Sequence, residues 1–156
     1  MIQIVTNLSL LREPCRTVDL EEGESIGKIL IEELKRNSSA VGLAANQVGI
    51  DARVCAIKHS SGFIHFINPE IIEAENPRLF KDEGCLSMPG KRINTIRFER
   101  VVVKDLNDAG REFKNFSAVA AQHEIDHTFG RLMKDANIYE ECPCGSGKKF
   151  KFCHMR

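Results

Sequence analysis

The chain has 156 residues, 42% of them hydrophobic and 28% charged, which suits one globular domain able to bury a core without disulfide staples, plus a small appendage. Lysine plus arginine equals aspartate plus glutamate at 22 each, excluding a field that would draw the whole molecule onto nucleic acid or an anionic membrane. Met1 to Leu11 has no basic cluster ahead of its apolar positions, and no apolar run approaches membrane-spanning length, so a soluble, cytoplasmic protein without a membrane partner is expected.

From Ser25 to Arg36, the apolar residues Ile26, Ile29, Leu30 and Leu34 fall on one side, with Glu32, Glu33, Lys35 and Arg36 on the other. This spacing predicts an amphipathic helix packed on a core. Next comes Val41-Gly-Leu-Ala-Ala-Asn-Gln47. Its small residues permit close backbone approach, and its last amide can donate to an oxyanion, although tight packing alone would also account for it.

The runs Arg53–Lys58 and Phe63–Ile67, separated by His59-Ser-Ser-Gly62, predict a hairpin. A second hairpin is expected from Val101–Asp105 and Arg111–Lys114, with Asn107-Asp-Ala-Gly110 supplying positive φ angles at the turn. Ser117 is the expected cap of a helix running from Ala118 to about Gly130, with Ile125, Phe129 and Leu132 as its core stripe. Antiparallel hairpins with a helix before and a helix after predict an α+β fold.

That last helix contains Gln122-His-Glu-Ile-Asp-His127. In this H-E-x-x-H pattern His123 and His127 project from one face and can reach one metal, while Glu124 can approach a bound water without being a ligand. An ion-paired histidine pair is the bland alternative. Glu83-Gly-Cys-Leu-Ser87 offers Cys85 as a third ligand, against the commoner fate of a lone cysteine as a small buried hydrophobe. Cys142, Cys144 and Cys153 crowd one end of the chain, and Cys15 and Cys55 receive no chemistry.

Taken in order, Gly42-Leu-Ala-Ala-Asn-Gln47, Glu83-Gly-Cys-Leu-Ser87 and Gln122-His-Glu-Ile-Asp-His127 resemble the signature triplet of peptide deformylases. The resemblance covers roughly Met1 to Asp135. It implies an α+β, peptide-deformylase-like fold with antiparallel strands around a central helix. It also implies hydrolysis of the N-terminal formyl group of formyl-methionyl nascent polypeptides, releasing formate. On this reading Cys85, His123 and His127 hold Fe²⁺, for which Zn²⁺, Ni²⁺ or Co²⁺ can substitute, and Glu124 handles protons. Gln47 and the Leu86 N–H stabilise an oxyanion, Val41, Gly42, Val119 and Ala120 form a methionine pocket, and Arg92 contacts the substrate backbone. The family pattern usually has glycine where this chain has Ala40, which implies a narrower pocket, and the usual proline-rich start is replaced by Thr6–Leu11.

At the C-terminus, Cys142-Pro-Cys-Gly-Ser-Gly-Lys-Lys-Phe-Lys-Phe-Cys-His154 stands where common bacterial deformylases carry a long helix. Its C-x-C-x8-C-H spacing resembles the C-terminal zinc motif of the SecA translocation motor, implying a structural Zn²⁺ held by Cys142, Cys144, Cys153 and His154. The alternative is a disordered basic tail. The expected division is therefore a catalytic domain over 1–138 and a zinc knuckle over 139–156. Lys148, Lys149, Lys151 and Arg156 make a ribosome or a nascent-chain factor the expected partner of the knuckle, and a monomer is expected. The competing functions are a zinc peptidase, which would usually take its third ligand downstream, and a non-catalytic binding module on a deformylase scaffold.

Overall fold

The computed structural model describes residues 2–142 and 144–153. Two three-stranded antiparallel sheets clasp one buried helix. A single turn, α1 (Leu8–Leu11), is capped by Asn7, whose side chain accepts from Ser9 N and Leu10 N. Helix α2 spans Leu20–Arg36, five residues earlier than the apolar spacing indicated, because Asp19 caps it by accepting from Glu22 N. The periodic stripe missed this first turn because Gly23, and Gly27 beyond it, are core-facing positions without an apolar side chain. A Cβ at Gly23 would run into Ile67, and one at Gly27 would lie 2.6 Å from the His65 ring. The helix thus lies close on the sheet beneath it.

That sheet consists of β1 (Gly42–Ala44), β2 (Val54–His59) and β3 (Gly62–Ile67), all antiparallel in that order. The expected hairpin forms with Val54 opposite Ile67 and His59 opposite Gly62. Between β1 and β2, residues Ala45–Val48 make a 3-10 turn ended by Gly49 at φ 83°. The second sheet holds β4 (Glu70–Gly84), β5 (Arg92–Lys104) and β6 (Arg111–Lys114). Sequence patterning had not located β4: its mostly exposed face carries charges, Pro77 interrupts it, and Asn76 takes a φ of 64°.

The turn joining β5 to β6 differs from expectation, since none of residues 107 to 110 has a positive φ. Side-chain carboxylates hold it instead: Asp105 accepts from Asn107 N and Asp108 N, and Asp108 accepts from Gly110 N. Helix α3 spans Asn115–Thr128 and starts after Lys114 without a side-chain cap, so Ser117 lies inside the helix and is not its cap. Nor is α3 amphipathic: residues 118 to 125 are all buried, with the helix packed against both sheets, whereas Phe129 is exposed beneath the Arg53 guanidinium. A helix buried on every side shows no stripe.

One core cluster lies between α3 and the sheets, built from Ile57, Phe66, Val101, Phe113 and Ile125, and the other lies under α2, around Leu30, Leu43, Val54 and Ile67. Beyond the 3-10 turn Met133–Asp135, the chain is tied to β5 where Ile96 N donates to Ala136 O (2.6 Å). The tail then closes on itself through Cys142 N to Lys148 O (2.7 Å) and the short α4 (Phe150–Cys153). No helix among the described residues is long and apolar enough to cross a membrane.

Replacing an exposed helical glycine by alanine usually stabilises a protein by up to ~1 kcal/mol. At Gly23 the new methyl meets the fully buried Ile67, so Gly23→Ala is expected to destabilise by roughly 1–3 kcal/mol instead. Urea unfolding followed by circular dichroism checks the sign.

Candidate active site

The buried α3 presents His123 and His127 one turn apart, their rings edge-on with centroids 5.0 Å apart and their Nε2 atoms 3.3 Å apart. Cys85 arrives from the other sheet, just past the end of β4, in a turn where Met88 N donates to its carbonyl (3.0 Å). Its Sγ lies 3.4 Å from His127 Nε2, and the three atoms all fall within 4.8 Å of one another. Ligands at about 2.3 Å (sulfur) and 2.0–2.1 Å (nitrogen) on a tetrahedral ion would stand roughly 3.3–3.6 Å apart. The residues present therefore fit a metal with one position left over.

A β-bulge sets up the support for these groups. Between Phe80 and Glu83 the β4 register shifts, and Asp82 takes a φ of 58°, turning Glu83 from the exposed edge into the interior. There one oxygen accepts from His123 Nδ1 (2.6 Å), while Arg97 and Thr95 donate to the carboxylate and Arg97 also reaches Asp126 (2.7 Å). Holding Nδ1–H this way points His123 Nε2 toward Cys85 and His127, where the metal-free ring stays protonated beside Cys85, Glu83 and Glu124 (pKa raised to about 10 despite burial) and where a bound metal would displace that proton. Burial opposes ionisation of Glu83, yet the His123 and Arg97 hydrogen bonds hold its pKa down at about 2. Burial and the neighbouring His123 push His127 well below the usual histidine range, leaving it a neutral imidazole. Asn46 Nδ2 donates to the His127 carbonyl (2.9 Å) and ties the end of α3 to the 3-10 turn.

Glu124 is buried beside this group, and its Oε2 has no hydrogen-bond partner among the described residues. Burial raises its pKa to about 7, with His123 pulling the other way. Gly42 is required here because a Cβ would lie 2.6 Å from Glu124 Oε1. Gln47 is 1% exposed. Its Oε1 accepts from Ala44 N (2.9 Å), and its Nε2 donates to Ser87 Oγ (3.1 Å) and stands 3.6 Å from Cys85 Sγ.

Gln47, Glu83, Cys85, His123 and Glu124 border a cavity of about 350 Å³. Val41, Gly42, Leu86, Arg92, Val119 and Ala120 line it as well, as does the departing Ala40, while His127 sits behind the wall. Sequence reasoning missed Glu83 and Ser87, the first and last letters of a motif it had quoted, and Arg97, which carried no local signal. It also missed the cavity-lining pair Phe80 and Phe116, whose rings stand 6.2 Å apart.

In the tail, the thiols of Cys142, Cys144 and Cys153 lie within 4.8 Å of one another. Three thiolates suit a soft or borderline metal such as zinc. His154, the expected fourth ligand, lies outside the described residues. Cys15 and Cys55 are buried and belong to neither group.

Two histidines and a cysteine around a central point, with a buried carboxylate adjacent, define the chemistry of a metal-dependent hydrolase. Residues 2–140 match the family model for polypeptide deformylase, and residues 140–156 match that of the SEC-C motif. The peptide deformylase of Halothermothrix orenii is 44% identical over 109 residues, covering 66% of this chain and 70% of that protein. That of Acetivibrio thermocellus is 41% identical over 136 residues, covering 83% and 78%. The crystal structure of peptide deformylase from Thermotoga maritima superposes with a TM-score of 0.76 at 30% identity, over 87% of this chain and 97% of that one. The chain belongs to the polypeptide deformylase family, enzymes that remove the N-terminal formyl group from nascent polypeptides.

Outer partners of metal-ligating histidines typically contribute 10–100-fold in metal affinity or activity. Glu83→Gln, which removes the charge that His123 and Arg97 share, is expected to weaken divalent-metal binding by roughly that factor. Competition with a chromophoric chelator measures it; unchanged affinity would mean that Glu83 serves Arg97 alone.

Proposed function

We propose that Cys85, His123 and His127 hold the catalytic metal, Fe²⁺ by preference with Zn²⁺, Ni²⁺ or Co²⁺ able to replace it, and that Glu124 is the proton carrier of deformylation. The observation that carries this reading is the convergence of the three ligand atoms beside the unpartnered Glu124 Oε2. A divalent cation bound there supplies Lewis acidity toward water or a carbonyl oxygen. Glu124 accepts the proton of the attacking water and delivers it to the departing amine as the C–N bond breaks. The water oxygen stays with the formyl carbon, and the products are formate and a free N-terminus.

As negative charge develops on the formyl oxygen, Gln47 Nε2 and the Leu86 N–H donate to it; each such donor is typically worth about 2.7–4 kcal/mol in the transition state. Val41, Gly42, Val119 and Ala120 receive the methionine side chain, with Ala40 narrowing the pocket, and Arg92 at the rim holds the peptide backbone. Gln47, His123 and Glu124 are each buried, which limits the bulk water that can reach the reacting carbon. A peptidase reading is weaker, because the cysteine ligand comes from upstream.

With Fe²⁺ loaded anaerobically, the protein is expected to release formate from formyl-Met-Ala-Ser. Glu124→Ala should lower kcat by about 10²-fold or more while retaining its metal. Equal turnover by the variant would remove Glu124 from the mechanism, and cleavage of unformylated peptides would point to a peptidase.

We further propose a division into a catalytic domain, 1–138, and a knuckle, 139–156, in which Cys142, Cys144, Cys153 and His154 bind zinc. The enzyme then works as a cytoplasmic monomer that the knuckle brings to ribosomes or nascent-chain factors. Exposed Lys148, Lys149 and Lys151 beside exposed Tyr139 and Phe152 support that partner class. Deleting residues 139–156 is expected to abolish salt-sensitive co-sedimentation with ribosomes while leaving formate release from a tripeptide intact; undiminished co-sedimentation would refute the recruitment role.

A further inference from the structure

We infer that Ser87 is a positioning residue for Gln47, its hydroxyl holding the carboxamide so that one amide proton stays aimed into the ligand group. The inference rests on the proposed oxyanion role of Gln47. A carboxamide swings easily about its last bond, and a swing of a few tens of degrees removes a donor from the oxygen it must meet. Gln47 is anchored at both ends. The Ala44 N–H, which can only donate, fixes Oε1 on its side (2.9 Å), and Ser87 Oγ takes one proton of Nε2 (3.1 Å).

With its plane defined by these two bonds, the nitrogen directs its second proton at Cys85 Sγ (3.6 Å), on the wall of the cavity where the ligand atoms converge. Both side chains are buried, so water cannot readily replace the lost partner. Ser87 also lies inside the turn that delivers Cys85 and Leu86. One short segment therefore sets a ligand, a backbone donor and the brace of the second donor.

The test is a double-mutant cycle on the metal-loaded full chain with formyl-Met-Ala-Ser, using Ser87→Ala, Gln47→Ala and the pair. Losing an entire oxyanion donor costs about 10²–10³ in kcat, and losing its orientation should cost a part of that, roughly tenfold, with KM within about twofold. Ser87→Ala is expected to keep its metal content and melting temperature, and in the Gln47→Ala background it should change kcat by less than about twofold. An independent readout is the Gln47 side-chain amide in the zinc-loaded protein: its two protons should be resolved and slow to exchange by NMR, and Ser87→Ala should lose that protection.

If Ser87→Ala lowers kcat by the same factor with or without Gln47, raises KM alone, or leaves the Gln47 amide protected, the inference is overturned and the site reading stands. If Gln47→Ala itself turns over like the parent, the oxyanion reading falls and this inference with it.

Discussion

The Glu83 carboxylate is the joint on which the site depends. It sits on β4, takes Nδ1–H of His123 on α3 and receives the guanidinium of Arg97 on β5, so one buried anion locks the second sheet to the central helix. Charges in such an interior are tolerated only when every partner is present, and here Arg97 closes the circuit by also reaching Asp126, one turn along α3 from Gln122. The same contact that joins the layers also selects the His123 tautomer. Fold integrity and site geometry therefore share their atoms.

Around that joint, three elements with different local rules converge. The 3-10 turn after β1 contributes Gln47, the segment after β4 contributes Cys85 and Leu86, and α3 contributes the histidines and Glu124. Each is short or buried, which keeps the side chains in single positions, as a site needing accurate alignment requires. Gly42 illustrates the tightness of the arrangement, because any side chain there would displace the Glu124 carboxylate.

The tail follows different physics. Among the described residues from 140 to 153 only Cys142 and Phe150 are buried, too little for an apolar core to fold them. Backbone hydrogen bonds around the bridge between Glu141 and Lys149 hold them, and the three thiols cluster alongside. A metal is the kind of staple that such a segment needs. Its attachment at Ala136, hydrogen-bonded to Ile96 next to Arg97, leads the chain past Arg97 and Asp126, with which Glu140 and Glu141 line a second cavity, and among the described residues none beyond 124 lines the first one.

Much of this could be read from the amino-acid order. H-E-x-x-H needs only helical spacing to bring two imidazoles and a carboxylate together, and the hairpin around Ser60 and Gly62 needs only local turn chemistry. Cys85 and Gln47 were legible because they stand in distinctive short motifs. Local pattern failed where burial is decided by distant partners: α3 lost its stripe because both sheets cover it, and Asp105 and Asp108 closed a turn by hydrogen bonds that no φ preference announced. The strand β4, polar and interrupted by Pro77, pairs because β5 lies alongside it. Glu83, Arg97 and Ser87 gain their meaning in three dimensions, since a buried charge or hydroxyl is defined by the groups that satisfy it. The sequence by itself determined which residues could do the chemistry; the tertiary structure decided their orientation, because hydrogen-bond partners from separate elements set tautomers and rotamers.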